Sequence, residues 1–140
     1  MKTTSMCLFV IALLTSCKGP SSTGVVPAEL RDLERAGEGL VGTTFGPYPG
    51  RAPDWTRAAG VLSIAKDVWK KGKAATPGLP SKAAADVDAA LQTLETAIAM
   101  QDQKSAVIAS NAIGLAVPDL FDFFHPDAHF GNTATREWCP

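Results

Sequence analysis

An all-α fold, a small up-and-down bundle of about four helices, is predicted by three observations. Apolar residues recur at helical spacing along most of the chain, Pro- and Gly-rich stretches punctuate those runs, and no segment sustains the period-two alternation of a half-buried strand. Composition agrees with one compact domain. The 140 residues are 46% hydrophobic and 19% charged, with a formal net charge of -1. That is too apolar for a disordered chain and too near neutral for an electrostatically driven nucleic-acid binder.

Residues 1–16 read as a cleaved signal peptide. Lys2 precedes an unbroken apolar run over residues 8–14. At ~1.5 Å per residue this covers about a third of the ~30 Å hydrocarbon core, so it is a secretory h-region rather than a membrane span. The next residues, Leu14-Thr15-Ser16-Cys17, form an aliphatic position, two small ones and a cysteine. The tetrapeptide resembles the lipobox of bacterial lipoprotein precursors, over about the first eighteen residues only. The resemblance implies that the Cys17 thiol is alkylated by a diacylglyceryl group, that the preceding peptide is removed, and that Cys17 becomes the first residue, attached to the membrane. Fatty chains such as palmitate contribute about 0.8 kcal/mol per buried methylene, so two or three on one residue make a lasting anchor. Lys18 in place of aspartate implies delivery to the outer membrane in a Gram-negative host. Residues 17–26, rich in Gly, Pro, Ser and Thr after the cysteine, then form a flexible tether.

The bundle is expected over residues 27–125. Pro27 suits a first helical turn, with Glu29 near the positive end of the helix dipole and Leu30, Leu33, Leu40 and Val41 on one face. Gly37, Gly39 and Gly42 lower its helix propensity, which predicts a short helix. Residues 42–53 hold six Gly or Pro and are expected to be a long loop, pinned to the bundle by Phe45 and Tyr48. A second helix starts at Pro53 and Asp54, with Trp55, Ala59, Leu62 and Trp69 as its stripe, broadened by Val61, Ile64 and Val68. Lys66, Lys70, Lys71 and Lys73 crowd its end, where cations meet the negative pole of the dipole. After the break at Thr76-Pro77-Gly78-Leu79-Pro80, Val87, Leu91, Leu94 and Ile98 mark a third helix, flanked by Ala90 and Ala97.

No Gly or Pro lies between Ser81 and Ala112, yet a bundle requires the run containing Val107, Ile108, Ala112, Ile113 and Leu115 to fold back. A turn is therefore placed near Gln101 to Lys104. Asn111, within that run, is expected to bridge to a neighbouring helix, since a buried amide needs partners. Pro118 allows either a kink, because its ring meets the carbonyl of Gly114, or a fresh helix start. Leu120, Phe121, Phe123 and Phe124 are expected to cap the core, and residues 126–140 form a C-terminal tail, polar from Phe130 on, whose Trp138 docks back onto the domain in one reading.

Chemistry is sparse. His125-Pro126-Asp127-Ala128-His129, with Asp119 and Asp122 upstream, is the one suggestive cluster. His125, Asp127, His129 and Asp122 are ligand types that suit zinc, nickel or copper(II), although Asp and His also serve as ordinary turn residues. With Cys7 removed and Cys17 acylated, Cys139 remains as an unpaired terminal thiol or, alternatively, as the half of an intermolecular disulfide that would make a dimer. No P-loop, G-x-G-x-x-G, G-x-S-x-G or C-x-x-C-H motif occurs. The expectation is a lipoprotein of the bacterial envelope, without enzymatic activity, cofactor or nucleic-acid partner. Its helical domain would bind or scaffold an envelope protein, and the alternative is divalent transition-metal binding at the His125 cluster.

Overall fold

A computed structural model describes residues 24–46 and 52–125. They form four helices and no strand: α1 (Ala28–Phe45), α2 (Trp55–Ala75), α3 (Ser81–Ala99) and α4 (Gln103–Asp122). Each helix packs against its neighbours in the chain, α1 also closes on α4, and the diagonal pairs do not meet. The result is an up-and-down bundle. One end carries the α3–α4 turn and the meeting of α1 with α2, and the other carries the α2–α3 turn, the start of α1 and the end of α4.

The third helix follows its sequence signal closely. Val87, Ala90, Leu91, Leu94, Ala97 and Ile98 are all buried. Its end makes the predicted turn without glycine. Gln101 adopts a left-handed φ of 53°, its N–H donates to Ile98 O at 3.1 Å, and the N–H of Asp102 donates to Ala97 O at 2.8 Å. This is the paired closing pattern of a Schellman turn, with a glutamine where glycine is usual. Asp102 at once caps α4, accepting from Ser105 N at 3.2 Å and Ser105 Oγ at 2.6 Å. Those two donors hold the Asp102 carboxyl below its ordinary pKa.

The first helix is longer than its glycines predict. A Cβ on Gly37 would lie 3.3 Å from Ile113 Cγ2, and one on Gly39 would lie 3.4 Å from Val61 Cγ1. The residues that lower intrinsic propensity are therefore those that let α4 and α2 approach, and tertiary packing outweighs the propensity cost. The helix continues to Phe45 and stops at Gly46, whose φ of 84° is a conformation that glycine adopts readily. Phe45 is 58% exposed and does not pin a loop onto the bundle; Tyr48 lies outside the described residues.

The second helix is rotated from its predicted stripe. It starts where expected, with Asp54 as its cap, accepting from Arg57 N at 2.9 Å, but the buried positions are Ala58, Leu62, Ala65, Trp69 and Gly72. Ala59 and Ile64 face outward and Trp55 is half-buried. Small residues occupy the inner face because α1 lies close to it: a Cβ on Gly72 would meet Leu30 Cδ2 at 3.2 Å.

The fourth helix runs unbroken through Pro118, so no fresh helix begins there. Leu120 and Phe124 are buried, with Phe121 and Phe123 packed partly against the core. The rings of Phe123 and Phe124 meet edge to face at 5.1 Å. Asn111 is exposed and bridges nothing inside the bundle. The buried polar residue is its neighbour Ser110, which donates to Ala106 O at 2.7 Å and stands 3.5 Å from the buried hydroxyl of Thr44 on α1. A shift of one residue rotates a side chain by about 100°, which is the whole difference.

Candidate functional site: the groove between α2 and α3

The α2–α3 hairpin is the most sparsely packed seam of the bundle. Two adjoining depressions lie along it, with volumes of about 540 Å³ and about 420 Å³. Leu62, Trp69, Leu91 and Ile98 line them as an apolar floor, and Lys66, Asp67 and Glu95 are shared by both.

Above this buried floor, ion pairs also join the two helices. Lys66 Nζ donates to Glu95 Oε1 at 2.7 Å, and Lys73 Nζ donates to both oxygens of Asp88, at 2.7 and 3.0 Å. Trp69 is buried, and its indole N–H donates to the same Asp88 Oδ1 at 2.7 Å. Lys73 also sits 5.2 Å from the centroid of the Trp69 ring, within cation–π range. Partial burial pushes the Asp88 carboxyl up, but the bonds from Lys73 and Trp69 and the charge of Lys73 outweigh it, leaving the pKa below the ordinary carboxylate range. Asp88 thus stays ionised and fixes the ring orientation on the groove floor.

The lysines at the end of α2 are therefore not uniformly a solvated terminus. Lys66 and Lys73 form cross-helix pairs, while Lys70 stands on the groove rim and Lys71 is exposed. Asp88 lies off the apolar face of α3, so helical periodicity alone does not single it out. Its role was nonetheless encoded. Lys66 with Glu95 and Lys73 with Asp88 share one midpoint in the sequence, the junction of Pro80 with Ser81, so an antiparallel hairpin in that register sets each pair face to face.

Of the four metal-ligand candidates, Asp122 and His125 are described. Both are half-buried near the end of α4, and the His125 backbone N–H donates to Phe121 O at 3.1 Å. Asp127 and His129 lie outside the described residues, as do Cys17 and Cys139. Among the described residues no group of three or more His, Cys, Asp or Glu is placed to hold a metal ion, and no helix is long and apolar enough to cross a membrane. No protein-family model matches the chain, and no curated protein or solved structure matches it significantly.

Proposed function

We propose that the protein is a bacterial lipoprotein, anchored to the envelope membrane through acylated Cys17, whose helical domain is a non-catalytic binding module. The α2–α3 groove is its binding site, and its occupant is an apolar segment of an envelope protein partner. The observation that carries the binding role is the concave seam floored by Leu62, Trp69, Leu91 and Ile98 beneath ion pairs that span it. A few apolar side chains in a concave site with fixed polar groups at its rim is the usual make-up of a recognition pocket. The Leu14-Thr15-Ser16-Cys17 tetrapeptide supports the anchor, and Lys18 supports sorting to the outer membrane in a Gram-negative host.

Two experiments test the two halves separately. Cys17→Ala, or globomycin treatment, is expected to make the unprocessed precursor accumulate; normal processing of Cys17→Ala refutes the anchor. For the groove, the probe is anilinonaphthalene sulfonate, whose emission rises on entering an apolar site. Gln92→Trp, on the exposed rim, is expected to cover the floor and suppress that rise. Undiminished emission in a folded Gln92→Trp variant removes the groove as the site.

A further inference from the structure

The outer face of α4 differs from that of every other helix. Between Lys104 and Asp119 it carries no charged residue, whereas α1, α2 and α3 bear charges along their solvent sides. Ile108 and Leu115 lie seven residues apart on that face, two helical turns, and are 60% and 77% exposed. Asn111 stands between them, and a Cβ on Gly114 beside them would meet nothing within 4 Å. The stripe is about 22 Å long, from ~1.5 Å per residue.

Its ends are oppositely charged. Lys104 begins the stripe and makes no ion pair among the described residues; Asp119 and Asp122 close it. The arrangement is also centred. Lys104 and Asp119 are equidistant from the junction of Asn111 with Ala112, and so are Ile108 and Leu115. We propose that this face is the interface of a homodimer in which α4 packs antiparallel on α4 of a second copy. In that arrangement each Ile108 meets the other copy's Leu115, each Lys104 meets an Asp119, and the two Asn111 amides lie beside the twofold axis, as a self-complementary isologous contact requires. A parallel pairing sets Lys104 on Lys104 and Asp119 on Asp119, so charge selects the antiparallel one. One helix face is smaller than the ~800 Å² per partner of a standard stable interface, so the association is weak in dilute solution and gains from confinement on a surface. The contact itself uses neither Cys17 nor the α2–α3 groove, whereas its gain from confinement rests on the proposed membrane anchor.

Cysteine cross-linking of the full chain in its native envelope tests the geometry. Asn111→Cys is expected to give a disulfide dimer well above the yields of the parent chain and of Ser63→Cys on α2, controls that carry the same native cysteines. Lys104→Cys and Asp119→Cys are each expected to cross-link poorly alone and readily when the two variants are co-expressed. Charge supplies a second readout. Lys104→Glu touches both symmetry-related pairs and is expected to weaken dimerisation about two- to tenfold, with recovery on adding Asp119→Lys. The proposal is overturned if Asn111→Cys matches the controls, as it would were the stripe covered by another protein or by the chain's own residues 126–140. It is equally overturned if Lys104→Cys cross-links efficiently with itself.

Discussion

Two seams of the same bundle are built on opposite principles. Between α1 and α4 the contact is dry: Ile113 is fully buried against the Gly37 position, and the hydroxyls of Thr44 and Ser110 turn back onto their own helices, to Leu40 O and Ala106 O, each at 2.7 Å. Between α2 and α3 two largely exposed ion pairs and one indole N–H span a groove. The first arrangement concentrates stability in side chains that tolerate no change of volume. The second leaves apolar surface within reach of solvent and holds it in place with interactions that are individually weak. A small domain that must both stay folded and receive a partner separates the two tasks in space.

The largest effect is expected in the dry seam. Ile113→Ala removes a fully buried branched side chain and is expected to cost about 2–5 kcal/mol by denaturant unfolding. A smaller loss there erases the contrast between the seams. Gly37→Val, which drives new methyl groups toward Ile113, is expected to cost about 1–3 kcal/mol through overpacking. The control is Gly60→Ala on α2, where an added Cβ meets nothing within 4 Å; it is expected to stabilise by about 0.5–1 kcal/mol from helix propensity. In the open seam, a double-mutant cycle on Lys66 and Glu95 is expected to give a coupling of about 0.5 kcal/mol or less, shrinking further in high salt. A coupling of several kcal/mol shows that ions, not the apolar floor, hold the hairpin together.

The smallest effect is a pH dependence. Because the folded Asp88 carboxyl lies below its ordinary pKa, its bonds to Lys73 and Trp69 stabilise the fold above the ordinary carboxylate range. That contribution fades as pH falls through the depressed folded value. Asp88→Asn is therefore expected to be less stable than the parent near neutral pH, with the gap narrowing as pH falls below the ordinary carboxylate range. A gap that stays constant with pH assigns the loss to packing instead.

The elements legible in the sequence were those whose period was clean. Val87, Leu91, Leu94 and Ile98 stand out from polar neighbours, and all four are buried. The start of α2 was legible from Pro53 and Asp54, although the capping bond from Asp54 to Arg57 N emerges only in the structure. The turn at Gln101 was legible only from the bundle's need to fold back, since no glycine marks it. Reading by side-chain size misled in α2, where Ile64 draws the eye but Ala65 is inside. Close helix approach selects the small residue over the large one. The same cause hid the length of α1, whose glycines look like weaknesses in isolation and are contact points in the fold. At the groove, Trp69 was legible as core, but its acceptor Asp88 lies on another helix and emerges only once the hairpin is paired. Cys17 rests on a local motif and lies outside the described residues.

The closed ring of helix contacts has a kinetic corollary. Three of the four seams join neighbours along the chain, whereas the α1–α4 seam brings together the first helix and the last, so its closure costs the most loop entropy. That docking is the latch of the folding reaction. If it comes after the barrier, Ile113→Ala will steepen the loss of the native state in stopped-flow measurements while leaving the refolding rate nearly untouched. If it forms at the barrier, refolding itself slows.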